Sequence, residues 1–268
     1  MDASVVMDRL FDLVFVRPPP ESYVKCVSTN PSRNKIDPAL AKEQHRQYVS
    51  KLKEYGVSVI ELPPLGNFPD SVFMQDPALL GSQRSIIGRF GEMARMGEEK
   101  ALLDELRNHR TKIGAIQFVR EPGTLEGGDI MVTDRGLFAG ESRRSNASGV
   151  KQLAAYLDDL EVRPVKTSLL HLLCGCSYLS KGRIIIAPDL VSPASFPGFE
   201  FVPLSMEEAY AADALYLGDG KVLIPSGFPS VNRKLGQAGY EGIEVEMSEF
   251  QKGDGGVTCL CSPVYHLF

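Results

Sequence analysis

Short apolar runs separated by turn residues recur along the whole chain. Runs of roughly four to eight apolar residues, bounded by glycine, proline or aspartate, are typical of buried strands. They predict strands at residues 13–17, 57–62, 85–87, 113–119, 130–132, 137–140, 162–165, 169–173, 184–186, 214–217, 221–225 and 240–245.

Stretches with helical features lie between several of these strands. The clearest covers residues 37–55, where Asp37 is placed to cap the helix, Pro38 occupies its first position and Gly56 follows its end. Further helices are predicted at 98–108, 148–157 and 207–211.

The order of strand, helix, strand, strand repeats about five times, at intervals of roughly 50 residues. No compositional break divides the chain, so residues 1–268 are expected to form a single domain. The repeat indicates an α/β protein built as a propeller-like ring of modules, rather than one doubly wound sheet.

Composition narrows the class of protein. Hydrophobic residues make up 43% and charged residues 24%, as in soluble globular proteins. A net charge of -5 argues against nucleic-acid binding, and the absence of a long apolar window argues against a membrane span. Residues 1–4 lack the features of a secretory signal, and five cysteines do not form a paired framework. We therefore expect a cytoplasmic protein.

A glycine-rich segment at 253–256 leads directly to Cys259. Glycines allow a sharp turn and close approach to a ligand, and a cysteine after such a turn can serve as a thiolate nucleophile. Most free cysteines are nevertheless small buried hydrophobes. That interpretation also suits Cys26, Cys174, Cys176 and Cys261. The spacing of the two C-x-C pairs is too short for an ordinary structural zinc site.

Three other segments carry candidate polar residues. Asp70 and Asp76 flank an apolar run; in an extended segment they would lie on one face and could bind a cation, or they are turn aspartates. Glu126 opens an acid-Gly-Gly-acid turn, which is weak evidence alone. His171 lies within a hydrophobic run, where a histidine is more often a core residue than a catalyst.

Together, in this order, the motifs P-D-S-V-F-x-x-D, E-G-G-D, H-L and D-G-G-x-x-C resemble those of the dimethylarginine dimethylaminohydrolase family. This family belongs to the guanidino-group-modifying superfamily with arginine deiminases and amidinotransferases. The resemblance extends from Arg17 to Ser262. It implies a five-bladed α/β propeller, the pentein fold, in which pseudo-fivefold ββαβ modules surround a central active site.

The resemblance implies catalytic roles for three residues. Cys259 matches the nucleophile, His171 the general acid and base, and Glu126 the carboxylate that orients the histidine. No metal or organic cofactor is expected. The partner would be a small guanidino amino acid, and a homodimer is compatible with the family.

The resemblance also implies a set of substrate-binding residues. Asp76 matches the ligand of the guanidinium, and Asp70 a residue near the α-amino group. Arg95 and Arg144 match the pair that binds the α-carboxylate. The remaining positions are Ser28, Gln75 and Asp254.

The expected reaction hydrolyses N-methylated L-arginine to L-citrulline and an alkylamine through a covalent S-alkylthiouronium. Cys259 would attack the guanidinium carbon as a thiolate, which makes it the expected most reactive cysteine. Gln75 departs from the acid found in the family, and Leu173 from the second guanidinium aspartate of arginine deiminases. Alternatives are a hydrolase, deiminase or amidinotransferase acting on arginine or another guanidino or ureido compound, and a non-catalytic propeller that only binds ligands.

Overall fold

A computed structural model describes residues 8–109 and 112–268. Residues 1–4, on which the prediction of no secretory signal rests, lie outside the described residues. The strands are β1 Phe11–Val16, β2 Ser58–Glu61, β3 Ala78–Gly81, β4 Arg84–Ile87, β5 Ala115–Phe118, β6 Ile130–Thr133, β7 Gly136–Glu141, β8 Val162–Lys166, β9 Cys176–Tyr178, β10 Arg183–Ile186, β11 Glu200–Pro203, β12 Leu215–Gly218, β13 Lys221–Pro225, β14 Glu241–Val245 and β15 Cys261–Tyr265. The helices are α1 Pro38–Glu54, α2 Glu98–Leu106, α3 Ala147–Tyr156, α4 Pro229–Gln237 and α5 Ser248–Gln251.

The strands form three-stranded units with one repeated pairing. In each unit the first two strands pair antiparallel and the last two pair parallel. The units are β3-β4-β5, β6-β7-β8, β9-β10-β11, β12-β13-β14 and β15-β1-β2. The described residues therefore contain five copies of one strand arrangement, which agrees with the repeat seen in the sequence.

Parallel strands need a crossover connection, usually a helix. Helices α1 to α4 provide it in four units, while a 3₁₀ turn at Pro193–Ser195 takes its place between β10 and β11. Strand β15 also pairs in parallel with β3, so two units share a six-stranded sheet.

The helix predicted at 37–55 is confirmed. Asp37 accepts hydrogen bonds from the backbone N–H groups of Ala39 and Leu40, as a capping aspartate does. One face of α1 packs into the core through Tyr48 and Leu52, which are fully buried.

One predicted element is wrong in type. Residues 169–173 are not a strand: the chain bends there and continues as a 3₁₀ turn at Leu172–Cys174. Apolarity cannot separate a strand from a buried turn in so short a run. The predicted helix at 207–211 is a 3₁₀ helix, Met206–Ala212.

Among residues 8–109 and 112–268, no helix is both long enough and apolar enough to span a bilayer.

Candidate active site

The turns that precede the first strand of each unit carry the candidate residues. Asp76 precedes β3, Glu126 precedes β6, His171 precedes β9 and Cys259 precedes β15. Asp76 and His171 line one small inner cavity with Cys259. Its full lining is Val27, Asp70, Phe73, Asp76, Arg95, Arg144, Leu170, His171, Gly253, Asp254, Gly255 and Cys259. The fourth, Glu126, is fully buried directly behind His171.

Cys259 is held by the glycine-rich segment that the sequence analysis singled out. It lies in a 3₁₀ turn, Thr258–Leu260, and its side chain is buried. Asp254 adopts a left-handed backbone with φ of 60°. A Cβ on Gly255 would lie 2.3 Å from the ring of Phe73, so only glycine allows the backbone this close to that ring.

His171 and Glu126 form a buried ion pair. His171 Nε2 lies 2.8 Å from Glu126 Oε2, the hydrogen-bonding distance that the sequence led us to expect. Burial alone would lower the pKa of His171, but the charge of Asp76 and the bond to Glu126 raise it to about 9. The histidine is therefore an imidazolium at neutral pH.

Glu126 is built to stay ionised. Burial would raise its pKa, but the hydrogen bond and charge of His171 lower it to about 2, with help from Arg95 and Arg144. Its other oxygen, Oε1, accepts the backbone N–H of Gly91 at 2.9 Å. A carboxylate held at both oxygens fixes the orientation of the imidazole ring.

Asp76 offers one free oxygen to the cavity. Its Oδ2 pairs with Arg95 Nη1 at 2.5 Å, whereas its Oδ1 is buried and has no hydrogen-bond partner within the described part of the chain. That Oδ1 lies 3.8 Å from His171 Nδ1. A buried unpaired carboxylate oxygen is costly, so a cationic ligand that donates N–H groups would be strongly favoured here. Gly128 makes the arrangement fit, because a Cβ there would lie 2.8 Å from both Asp76 Oδ1 and the His171 ring.

Asp70 and Asp76 line the same cavity, but not for the predicted reason. Residues 69–77 form turns and not an extended segment, so the two side chains do not share one face of a strand. Asp70 accepts the backbone N–H of Val27 with both oxygens, at 3.1 Å each.

The two arginines differ in their surroundings. Arg95 is fully enclosed: it pairs with Asp76 and with Glu98 at 2.8 Å, and its guanidinium lies 4.6 Å from the ring centre of Phe90. Arg144 is less engaged, since Nη1 has no hydrogen-bond partner among residues 8–109 and 112–268 and lies 3.6 Å from Glu126 Oε2. Arg144 thus keeps free donors for an anionic group, while Arg95 mainly neutralises Asp76.

Ser28 and Asp254 lie at the outer side of the site. Ser28 Oγ donates to Asp254 Oδ2 at 2.9 Å, and the backbone N–H of Thr29 donates to the same oxygen at 2.7 Å. Both residues line an outer cavity of about 550 Å³. Because Val27, Arg144, Leu170 and Asp254 line both cavities, the outer cavity adjoins the inner one.

Gln75 does not reach the inner cavity, in contrast to its expected role in substrate binding. Its Nε2 donates to the carbonyl of Gly127 at 3.3 Å, and its side chain lines a separate cavity together with Leu173. The reason is geometric, because neighbouring residues in the turn point to opposite sides. The predicted effects of Gln75 and Leu173 on substrate choice therefore lose their basis in direct contact.

Asp213 was missed by sequence reasoning and lies beside Cys259. Its Oδ2 is 3.7 Å from Cys259 Sγ, and its Oδ1 accepts the backbone N–H of Thr258 at 2.7 Å. The available signal was a single carboxylate within the apolar run 211–215. A buried acid in such a run requires a partner.

Cys259 is not a resting thiolate. Burial and the charges of Asp213 and Asp76 raise the pKa of its thiol well above the ordinary value. Burial likewise raises the pKa of Cys26, Cys174 and Cys261 to about 12. The thiolate that was expected at Cys259 therefore requires a change in local charge before it can form, and the higher reactivity of Cys259 over the other cysteines stays a prediction.

Three of these side chains could also hold a metal ion. Ligand atoms of Asp76, Glu126 and His171 all lie within 4.8 Å of one another. Binding an ion through His171 Nε2 and Glu126 Oε2 would break the hydrogen bond between these two atoms.

Comparison with known proteins places the chain in a family. The model described as N,N dimethylarginine dimethylhydrolase, eukaryotic, matches residues 26–192. An N(G),N(G)-dimethylarginine dimethylaminohydrolase of Pseudomonas aeruginosa is 36% identical over 254 residues, which cover 94% of this chain and 98% of the relative. The enzyme of that name from Streptomyces coelicolor is 32% identical over 258 residues, covering 94% and 97%.

Solved structures agree with this assignment. A cysteine-to-serine variant of the P. aeruginosa enzyme, in complex with citrulline, matches with a TM-score of 0.89 at 34% identity and covers 95% of this chain and 100% of that chain. The N-terminal domain of ArgZ, a cyanobacterial arginine dihydrolase, matches with a TM-score of 0.85 at 23% identity, covering 95% and 98%. These structures share the mixed α/β pentein fold with this protein. The chain belongs to the dimethylarginine dimethylaminohydrolase family.

Proposed function

We propose that this protein hydrolyses N-methylated L-arginine to L-citrulline and an alkylamine. The observation that carries the proposal is one inner cavity that holds the Cys259 sulfur, the His171 imidazolium and the free oxygen of Asp76. A guanidinium has the charge and N–H donors to satisfy that oxygen. The family relatives named for dimethylarginine, and the citrulline complex of one of them, support this choice of substrate.

Binding would orient the substrate before any chemistry occurs. Asp76 Oδ1 accepts N–H bonds from the guanidinium and places its central carbon over Cys259. Charge-assisted bonds of this kind are the strong ones in proteins. Arg144 takes the α-carboxylate and Asp70 the α-ammonium group, so the substrate is held at both ends. Positioning of this kind removes much of the entropic part of the barrier.

Catalysis would proceed through a covalent intermediate. Cys259 attacks the guanidinium carbon, and His171 donates its proton to the departing amine nitrogen. The S-alkylthiouronium that remains on Cys259 is then hydrolysed. The neutral His171 takes a proton from the attacking water, which regenerates the imidazolium. Glu126 keeps the ring aligned in both steps.

We also propose that the five three-stranded units are the blades of a five-bladed propeller, and that residues 1–268 form one catalytic domain. Support comes from the repeated strand pairing and from the position of the site residues, which precede the first strands of different units. A ring of blades would bring those turns together at its axis.

Arginine itself is the second candidate substrate. Leu173 stands where arginine deiminases have a second guanidinium acid, but it lines a different cavity and so does not disfavour arginine. Asp213, beside the sulfur, supplies a further carboxylate near the reacting centre.

The test is a comparison of kcat/KM for asymmetric dimethylarginine, monomethylarginine and arginine under one set of conditions, with citrulline, amine and ammonia measured. We expect the methylated substrates to be preferred, with release of the alkylamine. Arginine as the best substrate, with ammonia released, would establish a deiminase. Failure of all three would point to another guanidino or ureido compound.

Arg144 provides a separate prediction about substrate binding. Arg144→Ala is expected to raise KM for the preferred substrate by about 10- to 150-fold, the equivalent of one charge-assisted hydrogen bond of about 1.5–3 kcal/mol. Steady-state kinetics would measure this change in KM, with Arg163→Ala, at a half-buried position outside both cavities, as the control. An unchanged KM would exclude Arg144 as the carboxylate ligand.

A further inference from the structure

Asp213 is a buried acid that the mechanism above does not use. Its carboxylate is 4% exposed and contacts the reacting sulfur: Cys259 Sγ donates to Asp213 Oδ2 at 3.7 Å, an ordinary distance for a thiol donor. The second oxygen is held by the backbone N–H of Thr258 at 2.7 Å. The carboxylate is therefore fixed in place against the nucleophile by its own turn.

The backbone around Asp213 is shaped to admit this carboxylate. A Cβ on Gly256 would lie 2.2 Å from Asp213 Oδ2, so any larger residue at this position would displace the acid. Asp213 also occupies a repeated position. It stands two residues before β12, as Asp76 stands two before β3 and Cys259 two before β15. Equivalent turns thus supply the guanidinium ligand, the nucleophile and this acid.

The thiol proton of Cys259 needs a destination. His171 cannot accept it, because it is already an imidazolium bonded to Glu126. Glu126, with a pKa of about 2, is a weak base and is occupied by the same bond. Asp76 is paired with Arg95 and would bind the substrate. Asp213 is the remaining base in contact with the sulfur.

The electrostatic surroundings of Asp213 suit a proton acceptor. Burial raises its pKa to about 6, against the lowering effects of its bonds to Thr258 and Cys259 and of the charge of His171. A carboxyl with this value is ionised at neutral pH and is a stronger base than an ordinary aspartate. Other titratable groups that face it are Cys174 and Tyr210, and burial keeps both neutral.

We propose that Asp213 is a catalytic base that removes the thiol proton of Cys259 when a guanidinium enters the cavity; this rests on the hydrolase function proposed above. The proton moves from Sγ to Oδ2, and the sulfur electron pair forms the bond to the guanidinium carbon. The carbon–nitrogen bond breaks as His171 protonates the departing amine. Asp213 keeps its proton through the thiouronium stage and returns it to the sulfur when that bond breaks. The proton left over from hydrolysis is taken up by the released amine.

The test compares wild type with Asp213→Asn, which keeps an oxygen for the Thr258 N–H but cannot take a proton. Two readouts are measured: the pH dependence of kcat/KM for the preferred methylarginine, and the rate of Cys259 alkylation by iodoacetamide without substrate. Asp189→Asn, an exposed acid, is the control. Thermal melting establishes whether Asp213→Asn folds. If that variant does not fold, Asp213→Ser, which also keeps an oxygen, is used in its place.

The two readouts are expected to move in opposite directions. Turnover of Asp213→Asn should fall by about 10²- to 10⁴-fold at pH 7.5, the usual contribution of general acid–base catalysis. The acidic limb of the wild-type profile near pH 6 should disappear. Alkylation should become faster, about tenfold for each unit by which removal of the negative charge lowers the thiol pKa.

Each alternative outcome has a distinct meaning. If Asp213→Asn turns over substrate as fast as wild type and keeps the acidic limb of the pH profile unchanged, the proposal is overturned and the hydrolase function stays intact. A parallel loss of alkylation and turnover would assign Asp213 a structural role only and also overturn it. No turnover of any methylarginine or arginine by wild type would overturn the proposed function, and this proposal with it.

Discussion

Cys259→Ser is expected to lower kcat by about 10⁶-fold, the effect of removing a nucleophile that works as part of a catalytic unit. Serine fits the same space, but its hydroxyl is far less acidic than a thiol. It lies beside Asp213 and Asp76, whose charges already raise the pKa of the thiol. Substrate binding should remain, because Asp76, Arg144 and Asp70 are untouched. Citrulline formation and equilibrium binding of the preferred methylarginine measure the two effects separately.

The covalent intermediate provides a direct check on this prediction. Rapid acid quenching of wild type during turnover should give a protein mass increased by the thiouronium adduct, located on the peptide that contains Cys259. The matched control is Cys176→Ser, a buried thiol outside the inner cavity, which should keep its turnover. An adduct on another cysteine, or residual turnover above a thousandth of wild type in Cys259→Ser, would contradict the assignment.

His171→Gln is expected to lower kcat by about 10²- to 10⁴-fold, because the departing amine loses its proton donor. Wild-type activity should fall as the pH rises through about 9, where the imidazolium gives up its proton. Because the protonated form of His171 is the acid, the enzyme is active below this pKa and loses activity above it. Glutamine preserves a donor toward Glu126 but cannot protonate a leaving group. The alkaline limb should therefore vanish in the variant.

A substrate whose leaving group needs no proton separates the acid role from simple damage to the site. An S-alkyl-thiocitrulline releases a thiol, so His171→Gln should form the covalent adduct with it far faster than with methylarginine. His266→Gln, a half-exposed surface histidine, is the control. An equal loss for both substrates would show that His171 maintains the structure rather than donating the proton.

Local patterns in the sequence predicted much of the fold. The capped helix at 37–55 and most strands follow from apolar runs and turn residues, which act locally. Strands β3, β9, β11 and β15 and helices α4 and α5 were not predicted. Strand β15 contains a proline and follows a glycine-rich segment, so its pairing with β1 and β3 has no local signal. The polar neighbours of His45 in helix α1 indicate an exposed position, but His45 is buried, and burial lowers its pKa to about 4. Polar neighbours in the sequence do not reveal which face of a helix meets the core.

Part of the candidate site could also be predicted from local sequence patterns. Motifs identified the turns that carry Asp76, Glu126, His171 and Cys259, but not the direction of each side chain. Gln75 and Asp76 are adjacent, yet they line different cavities. Asp213 has no motif around it, and only its distance to the sulfur reveals it. Side-chain direction in irregular turns depends on tertiary packing, which a pattern of residue types does not encode.

The pairing of β1 with β15 has a consequence for the order of events during synthesis. Phe11 pairs with Tyr265, so the unit that follows Cys259 joins segments from opposite ends of the described chain. Contacts at such sequence separation form late, because loop closure must come first. On the ribosome, the turn that holds Cys259 could dock only after nearly all of the other units had emerged. The Cys259 sulfur would therefore reach the inner cavity only after the turns that carry Asp76, Glu126 and His171 had been synthesised.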